Sequence, residues 1–525
     1  MQLFASVPPV VTPTVPDEAL TMARHTAVSH RKDTVFLPHV DAAALDVFAR
    51  ARDPHDPFEL RDLWLGRVEH ALGADALRPW LAERWRSAPP LRTVDVEEVL
   101  ESRATVRMVK ELFNWFFRDD LYGALRERSH VILSGGSVSE EVWGLPGALK
   151  QCIRYALDRD WYGYSDSRGR EAARSAIAGY ENARIDKGGY DESEVAITMG
   201  GTVAISSLAD LILTGPYGWS KGSGSRPPVL CAIPNYPPLV ETTARRNPVK
   251  LVPLPACGGR ISLAPLIEAI RPDTPMVLLQ TAGNPTGAVV AEDELAALIR
   301  AAAPSCVVIL DECHEWLGPE RLRSSARRAP HVVRVSSLSK AWSAPGLKVG
   351  WILADRRLVD EYHEYASTAF GGPPSFFYTA VEVLARMERW MAEGLVEPGT
   401  VECAEFEAGY RLEPDLLRAA YRSYRLERCA REESLRAVRA AAVTGLENIP
   451  ASVVTPLHSI NATVEFPSFD DSYLCFRRLL HDTGVSVFPG VLTFCLGGGS
   501  VRVTTSRPWE DLTLAFSRLR QRASG

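Results

Sequence analysis

The chain has no apolar run approaching the ~18 residues that a membrane span requires, although apolar residues make up 46% of its 525 residues. Its opening, MQLFASVPPVVTPTVPDEAL, has neither a basic flank nor a continuous apolar stretch, so no secretory signal is expected. Neither sign of charge dominates either, with 59 Lys and Arg against 65 Asp and Glu. A formal net charge of -6 gives no electrostatic reason to expect nucleic acid or an anionic membrane as partner. The nine cysteines form no CxxC pair and no metal-ligand cluster, so neither a disulfide framework nor a metal centre is expected. Cys306, inside SCVVIL, reads as a thiol packed like a small hydrophobe. Together these absences point to a globular protein of the reducing cytoplasm, long enough for two or three folded units.

What is present changes along the chain. Residues 1 to about 25 read as a Pro/Thr-rich tail, loosely ordered or draped over the surface. Helical periodicity follows from about 40 to 118. In FELRDLWLGRVEHAL it puts Leu60, Leu63, Trp64, Val68 and Leu72 on one face, and VRMVKELFNWFF is a second amphipathic stretch. From about 195 to 355, short runs (VLCAIP, PMVLLQT, CVVILDE, VVRVSSL, VGWILA) alternate with Ala/Leu-rich helical segments. Apolar runs without alternation, separated by helices, indicate an α/β fold with a mostly parallel sheet covered on both faces. Ligands bind such sheets at the carboxyl ends of the strands.

The residues at those ends are distinctive. PMVLLQT runs into AGNPTG, with Asn284, Pro285 and Gly287; CVVILDE ends at Asp311; VVRVSSL ends at Ser337, Ser339 and Lys340. An amide, a carboxylate and a lysine therefore leave successive strands on the ligand side. GNPTG, the following aspartate and SLSKAWSAPGLKVGW recur in this order, at about these spacings, in the class I/II aminotransferases. The chain resembles that family over roughly residues 125 to 525.

The resemblance implies the type I pyridoxal-5′-phosphate (PLP) fold, similar to aspartate aminotransferase. That is a large, mostly parallel-sheet domain flanked by helices, plus a smaller α+β domain. On this chain it gives an extra N-terminal helical region at 1–120 and a small-domain portion leading into the large domain at 121–155. The large PLP-binding domain takes 156–385, and the C-terminal small domain takes 386–525 with an insertion near 390–425.

The resemblance also implies roles. Lys340 holds PLP as a Schiff base and shuttles the Cα proton. Asp311 keeps the pyridine nitrogen protonated, Asn284 bonds the ring's O3′, and Tyr236 stacks on the ring. Gly201 and Thr202, in TMGGTVAISS, offer donors to the phosphate at a helix start, although Gly-Gly-Thr reads equally as a capping signal. Ser337 matches the phosphate-binding serine. Lys348 stands where the family usually has arginine, which keeps the charge but loses the fork. Tyr164 matches the tyrosine that reaches the phosphate of a neighbouring subunit, with a packed turn aromatic as the alternative. Arg502, in SVRVTTS, matches the arginine on the substrate α-carboxylate, where Gly136 in ILSGGS and Asn284 are further contacts. His314 replaces the usual tyrosine of D-E-x-Y. It either takes over the donor role, with a pH dependence of its own, or packs against solvent.

The implied activity runs through an external aldimine and a Cα-quinonoid of an L-amino acid, leading to transamination. The alternative is elimination, replacement, C–C bond formation or decarboxylation, similar to aminocyclopropane-carboxylate synthase, with S-adenosylmethionine as a candidate substrate in bacterial natural-product biosynthesis. His314, Lys348, the N-terminal region and the insertion raise that alternative. A transcription regulator with an aminotransferase-like sensor is disfavoured, because the first 120 residues are acidic rather than basic. Partners implied are a small amino-acid substrate and a second copy of the chain in a homodimer with shared active sites. Neither nucleic acid nor membrane is implied.

Overall fold

Each apolar run marked as a strand becomes one: Val229–Ile233, Met276–Gln280, Val307–Asp311, Val332–Ser337 and Gly350–Leu353. All five are buried along their length, save for half-buried Val307. Two-sided burial is why these runs show no polar alternation. The computed structural model describes residues 2–7, 9–26, 35–214, 226–319, 321–449 and 451–524. The chain divides into two units. One comprises Met1–Thr14, Val138–Tyr217 and Val307–Arg436; the other comprises Val15–Ser137, Gly218–Cys306 and Ala437–Gly525.

In the first unit, four strands lie in the order Val195–Thr198, Gly350–Leu353, Val332–Ser337, Val307–Asp311. The last two are parallel and the other pairings are antiparallel. Register then fixes chemistry. Asp311 pairs with Val335, Ser337 with Gly350, and Gly350 with Thr198. Asp311, Ser337 and the glycines after Thr198 therefore leave the sheet at one edge. Gly350 has to lack a side chain there, since a Cβ would sit 2.6 Å from the Ser336 carbonyl oxygen and 3.0 Å from Gly200 Cα.

The core of this unit is aromatic, with Trp342, Trp351, Trp390, Tyr421 and Tyr424 all at most 2% exposed. Leu3 and Phe4 join it, at 0% and 2% exposure. The N-terminal tail is thus not draped over the surface at its start, because burial of two large apolar side chains outweighs the disorder its composition favours. The polar stretch near 390–425 carries the short helix Thr400–Ala404 and the first turns of the 34-residue helix Pro414–Glu447.

In the second unit, Val249–Pro253, Val229–Ile233 and Met276–Gln280 form parallel pairs. A separate antiparallel sheet runs Ser452–Val454, Asn461–Glu465, Ser500–Thr504, Phe488–Pro489. The N-terminal helices belong to this unit. Helix Pro57–Leu72 starts on an Asp56 cap that accepts from the Phe58 N–H, with proline at its first position. Its expected apolar face (Leu60, Leu63, Trp64, Val68, Leu72) is at most 3% exposed. Helix Arg103–Trp115 packs on helix Pro237–Ala244, and Arg107 pairs with Glu241 at 2.8 Å. Among the described residues no helix is long and apolar enough to cross a membrane, and no acid/His/Cys group could hold a metal.

Candidate active site

Lys340 sits in a one-turn helix, Leu338–Ala341, that Ser337 launches. The Ser337 hydroxyl accepts from the Ser339 N–H at 3.0 Å and donates to the Ser339 hydroxyl at 2.8 Å. Asp311, 5% exposed, accepts from the Cys313 N–H at 3.1 Å. The 14-residue helix Gly200–Leu213 begins on the same edge, and Gly200 takes a left-handed φ of 80° that favours glycine. A Cβ on Gly201 would lie 2.9 Å from Cys313 Sγ and 3.9 Å from Ser337 Cβ.

Cys313 therefore stands at the centre of the expected residues. Its thiol is close enough to Asp311, Ser337 and Lys340 for all three to act on its pKa. Burial, and then the Asp311 charge, push its pKa well up, so it stays a neutral thiol. In the sequence it reads only as one of nine free cysteines; its place two residues after Asp311 was the available signal. This group suits a phosphorylated pyridine. It supplies a side-chain-free helix start for phosphate, a serine hydroxyl, a buried carboxylate for a ring nitrogen and a half-buried amine.

The remaining expected residues of this unit are placed less uniformly. His314 is 5% exposed, buried rather than packed against solvent. Lys348 is left-handed at φ 54° with an exposed side chain, and only its backbone lies close to Gly200. Thr202 is exposed, and Tyr164 is wholly so at 105%.

Beneath the Asp311 strand end lies an ion network that no motif or spacing in the chain singles out. Glu312 accepts from Arg327 at 2.6 Å and from Arg334 at 2.8 Å. Glu315 pairs with Arg323 and Arg327 at 2.9 Å, and Glu181 pairs with Arg334 at 2.5 Å and with Arg323. All six side chains are at most 2% exposed. Burial alone would raise the three carboxyl pKa values. The guanidiniums outweigh it and hold all three down: Arg334 and Arg323 at Glu181 and Glu312, Arg327 and Arg323 at Glu315. Glu312 and Glu315 flank Cys313 and His314, so the network fixes the turn that carries both.

The second unit holds a group of its own. Arg502, 5% exposed, pairs across the sheet with Phe488 and Thr463. Its Nη1 donates to Asn284 Oδ1 at 3.1 Å and its Nη2 to the Ser134 carbonyl at 2.8 Å. Its guanidinium carbon lies 4.0 Å from the Phe488 ring centroid. The Arg502 Nε is buried and makes no hydrogen bond. Burial lowers the Arg502 pKa, partly countered by Tyr236. Asn284 Oδ1 also accepts from Asn461 Nδ2 at 3.3 Å, which leaves the Asn284 amide N–H groups as the donors on offer. Asn461 is a further residue that sequence reading passed over. Tyr236 packs edge-on against Phe113, with ring centroids 5.8 Å apart. Gly136 is half-buried in the segment that follows Ser134.

The sequence pattern of the family described as "Aminotransferase class I and II" matches residues 133–399. Among curated proteins, the chain is 32% identical over 264 residues to a probable N-succinyldiaminopimelate aminotransferase of Mycobacterium tuberculosis. That match spans 47% of this chain and only 62% of the relative. It is 26% identical to a valine–pyruvate aminotransferase of the same species, over 76% of this chain and 93% of the relative. Among solved structures, aspartate aminotransferase of Thermus thermophilus with maleate superimposes with a TM-score of 0.60 at 21% identity, covering 82% of this chain and 99% of that one. N-succinyldiaminopimelate aminotransferase of M. tuberculosis gives 0.59 at 23% identity, covering 76% and 95%. The fold is the type I PLP fold. This chain is a member of the class I and II aminotransferase family, whose cofactor is pyridoxal 5′-phosphate.

Proposed function

We propose that the protein moves an amino group between an L-amino acid and a 2-oxo acid, with Lys340 as the lysine that carries pyridoxal phosphate. The observation that carries this reading is the shared strand edge of the first unit. There Asp311, Ser337–Lys340 and the Gly200–Gly201 helix start gather around Cys313. Family membership supplies the chemistry: when bound, the cofactor draws electrons from the substrate Cα.

The chain's own residues do the rest. Lys340 moves the proton at Cα. Asp311, as a buried carboxylate, holds a proton on the ring nitrogen. Ser337 and the backbone of Gly201 and Thr202 bind phosphate, with Lys348, whose backbone adjoins the Gly200 turn, as the accompanying charge. Asn284 donates from its amide to O3′, since its Oδ1 is taken by Arg502 and Asn461. Tyr236 supplies a ring face. Arg502 and the Gly136 backbone orient the substrate carboxylate. His314 is a donor candidate in place of the family's tyrosine.

Tyr164 exposes its whole side chain, which suits a role against a second copy of the chain. We therefore include a homodimer with shared active sites in the proposal. Nine free thiols suit a reducing cytoplasm.

The test is a spectral screen of amino acids together with S-adenosylmethionine. Conversion of the cofactor to its pyridoxamine form, with release of an oxo acid, supports transamination. A product that has lost its side-chain leaving group, with the cofactor form unchanged, overturns it in favour of elimination or replacement.

A further inference from the structure

The turn that follows Lys340 is held by a cation outside the groups described above. Arg431, on the helix Pro414–Glu447, is 4% exposed, and its guanidinium donates in three directions. Nε reaches the Ala341 carbonyl at 3.0 Å, Nη2 reaches Ser343 Oγ at 2.9 Å, and Nη1 reaches the Trp143 carbonyl. The Ser343 hydroxyl donates to the same Trp143 carbonyl at 2.6 Å. The Trp342 ring lies against the guanidinium, 5.2 Å from its carbon to the ring centroid. Two neighbouring residues of the helix reach the same segment: Glu427 accepts from the Gly147 N–H at 2.9 Å, and Ser434 accepts from Trp143 Nε1 at 2.8 Å.

None of the Arg431 hydrogen bonds goes to a carboxylate, and burial together with the neighbouring Arg428 pulls its pKa down. Such an arrangement is costly unless hydrogen bonds offset it, and here each of the three guanidinium nitrogens makes one. The turn it grips is strained. Ser343 has a φ of 52°, a left-handed conformation that a non-glycine residue adopts at a cost of about 1–3 kcal/mol when surrounding contacts enforce it. The contacts that enforce it are its bonds to Arg431 and Trp143. Lysine could keep the charge but could not serve three acceptors in one plane.

We propose that Arg431 is a positioning residue for Lys340. It fixes the turn Ala341–Ser343 that anchors the lysine backbone, ties that turn to the Trp143 segment, and sets a positive charge on the carbonyl of Ala341, the residue that follows the lysine. The inference rests on the reading of Lys340 as the cofactor lysine.

The experiment compares wild type, Arg431→Lys and Arg431→Gln as holoenzymes. Three readouts are hydrogen exchange of the 341–344 amides, the pH midpoint of the visible cofactor band, and the rate of cofactor release on dialysis. Both variants should exchange faster at 341–344 and release cofactor about tenfold faster, since both lose the fork. Only Arg431→Gln should move the band midpoint, upward by roughly 0.5–1 unit, because a like charge that disfavoured protonation is gone. A variant that merely melts earlier, with exchange, midpoint and release unchanged below its melting point, overturns the proposal. If Arg431→Gln does not fold, Ser343→Ala removes one acceptor of the fork together with the hydroxyl's own bond to Trp143. It must then speed both exchange and release, and unchanged rates overturn the proposal. Exchange at 341–344 needs no cofactor, whereas borohydride labelling of wild-type Lys340 tests the cofactor reading by itself, so the two failures are told apart.

Discussion

Arg502 Nη1 donates to Asn284 Oδ1 at 3.1 Å. The bond settles two orientations at once. It aims a guanidinium that still has a buried Nε without a partner, and it turns the Asn284 amide so that its N–H groups are the free ends. The arginine proposed for the substrate carboxylate and the amide proposed for the ring oxygen thus depend on each other.

Arg502→Ala should raise KM for amino-acid substrates by about 10–100-fold, the loss expected for a charge-assisted bidentate contact. Steady-state kinetics on the substrate found by the spectral screen checks this. An unchanged KM would mean that the carboxylate is held elsewhere.

Gly201→Ala places a Cβ 2.9 Å from Cys313 Sγ, so the thiol must shift within the group that includes Asp311 and Ser337. We expect pyridoxal phosphate affinity, read by absorbance titration, to weaken by about tenfold. Cys313→Ala in the same chain removes the clashing sulfur and should restore most of the loss. A double variant no better than Gly201→Ala would place the fault in the helix start rather than in the thiol.

Glu312→Gln removes the carboxylate shared by Arg327 and Arg334 and leaves Glu181 and Glu315 to balance three buried guanidiniums, at a cost of about 3–5 kcal/mol. The sign with pH follows from depressed carboxyl pKa values. The network's contribution is present above the unfolded carboxyl value of about 4.3 and is lost as pH falls below it. Urea midpoints should therefore separate wild type from Glu312→Gln at pH 7 and draw together towards pH 3. A gap that stays constant with pH would contradict the assignment.

Phe4→Ala should destabilise the first unit by about 3–5 kcal/mol, because a core aromatic at 2% exposure is removed. Thermal unfolding reads it directly. A melting temperature equal to wild type would mean that the N-terminal turn contributes nothing to that core.

Much of this was legible in the chain. Two-sided burial left the sheet strands as unbroken apolar runs, and the resemblance picked out Asp311, Ser337 and Lys340 at strand ends that register then aligned. Helix Pro57–Leu72 declared itself through its periodicity and its Asp56 cap. What stayed hidden depends on distant segments. Leu3 and Phe4 follow no period, and their burial is decided by a core far along the chain. Glu181, Glu312 and Arg334 look like ordinary surface charges until α-helical and β-strand segments 153 residues apart meet. Arg431 sits in an Arg/Glu-rich helix whose composition suggests solvent. Only the fold shows that one arginine in it faces the turn after Lys340.

The measurement that bears most directly on the central claim is borohydride reduction of the purified protein, followed by peptide mass mapping. A yellow protein should lose its visible band and carry a reduced pyridoxyl phosphate on Lys340, and Lys340→Ala should take up no label while remaining folded. A colourless protein, or a label on any other lysine, would contradict it.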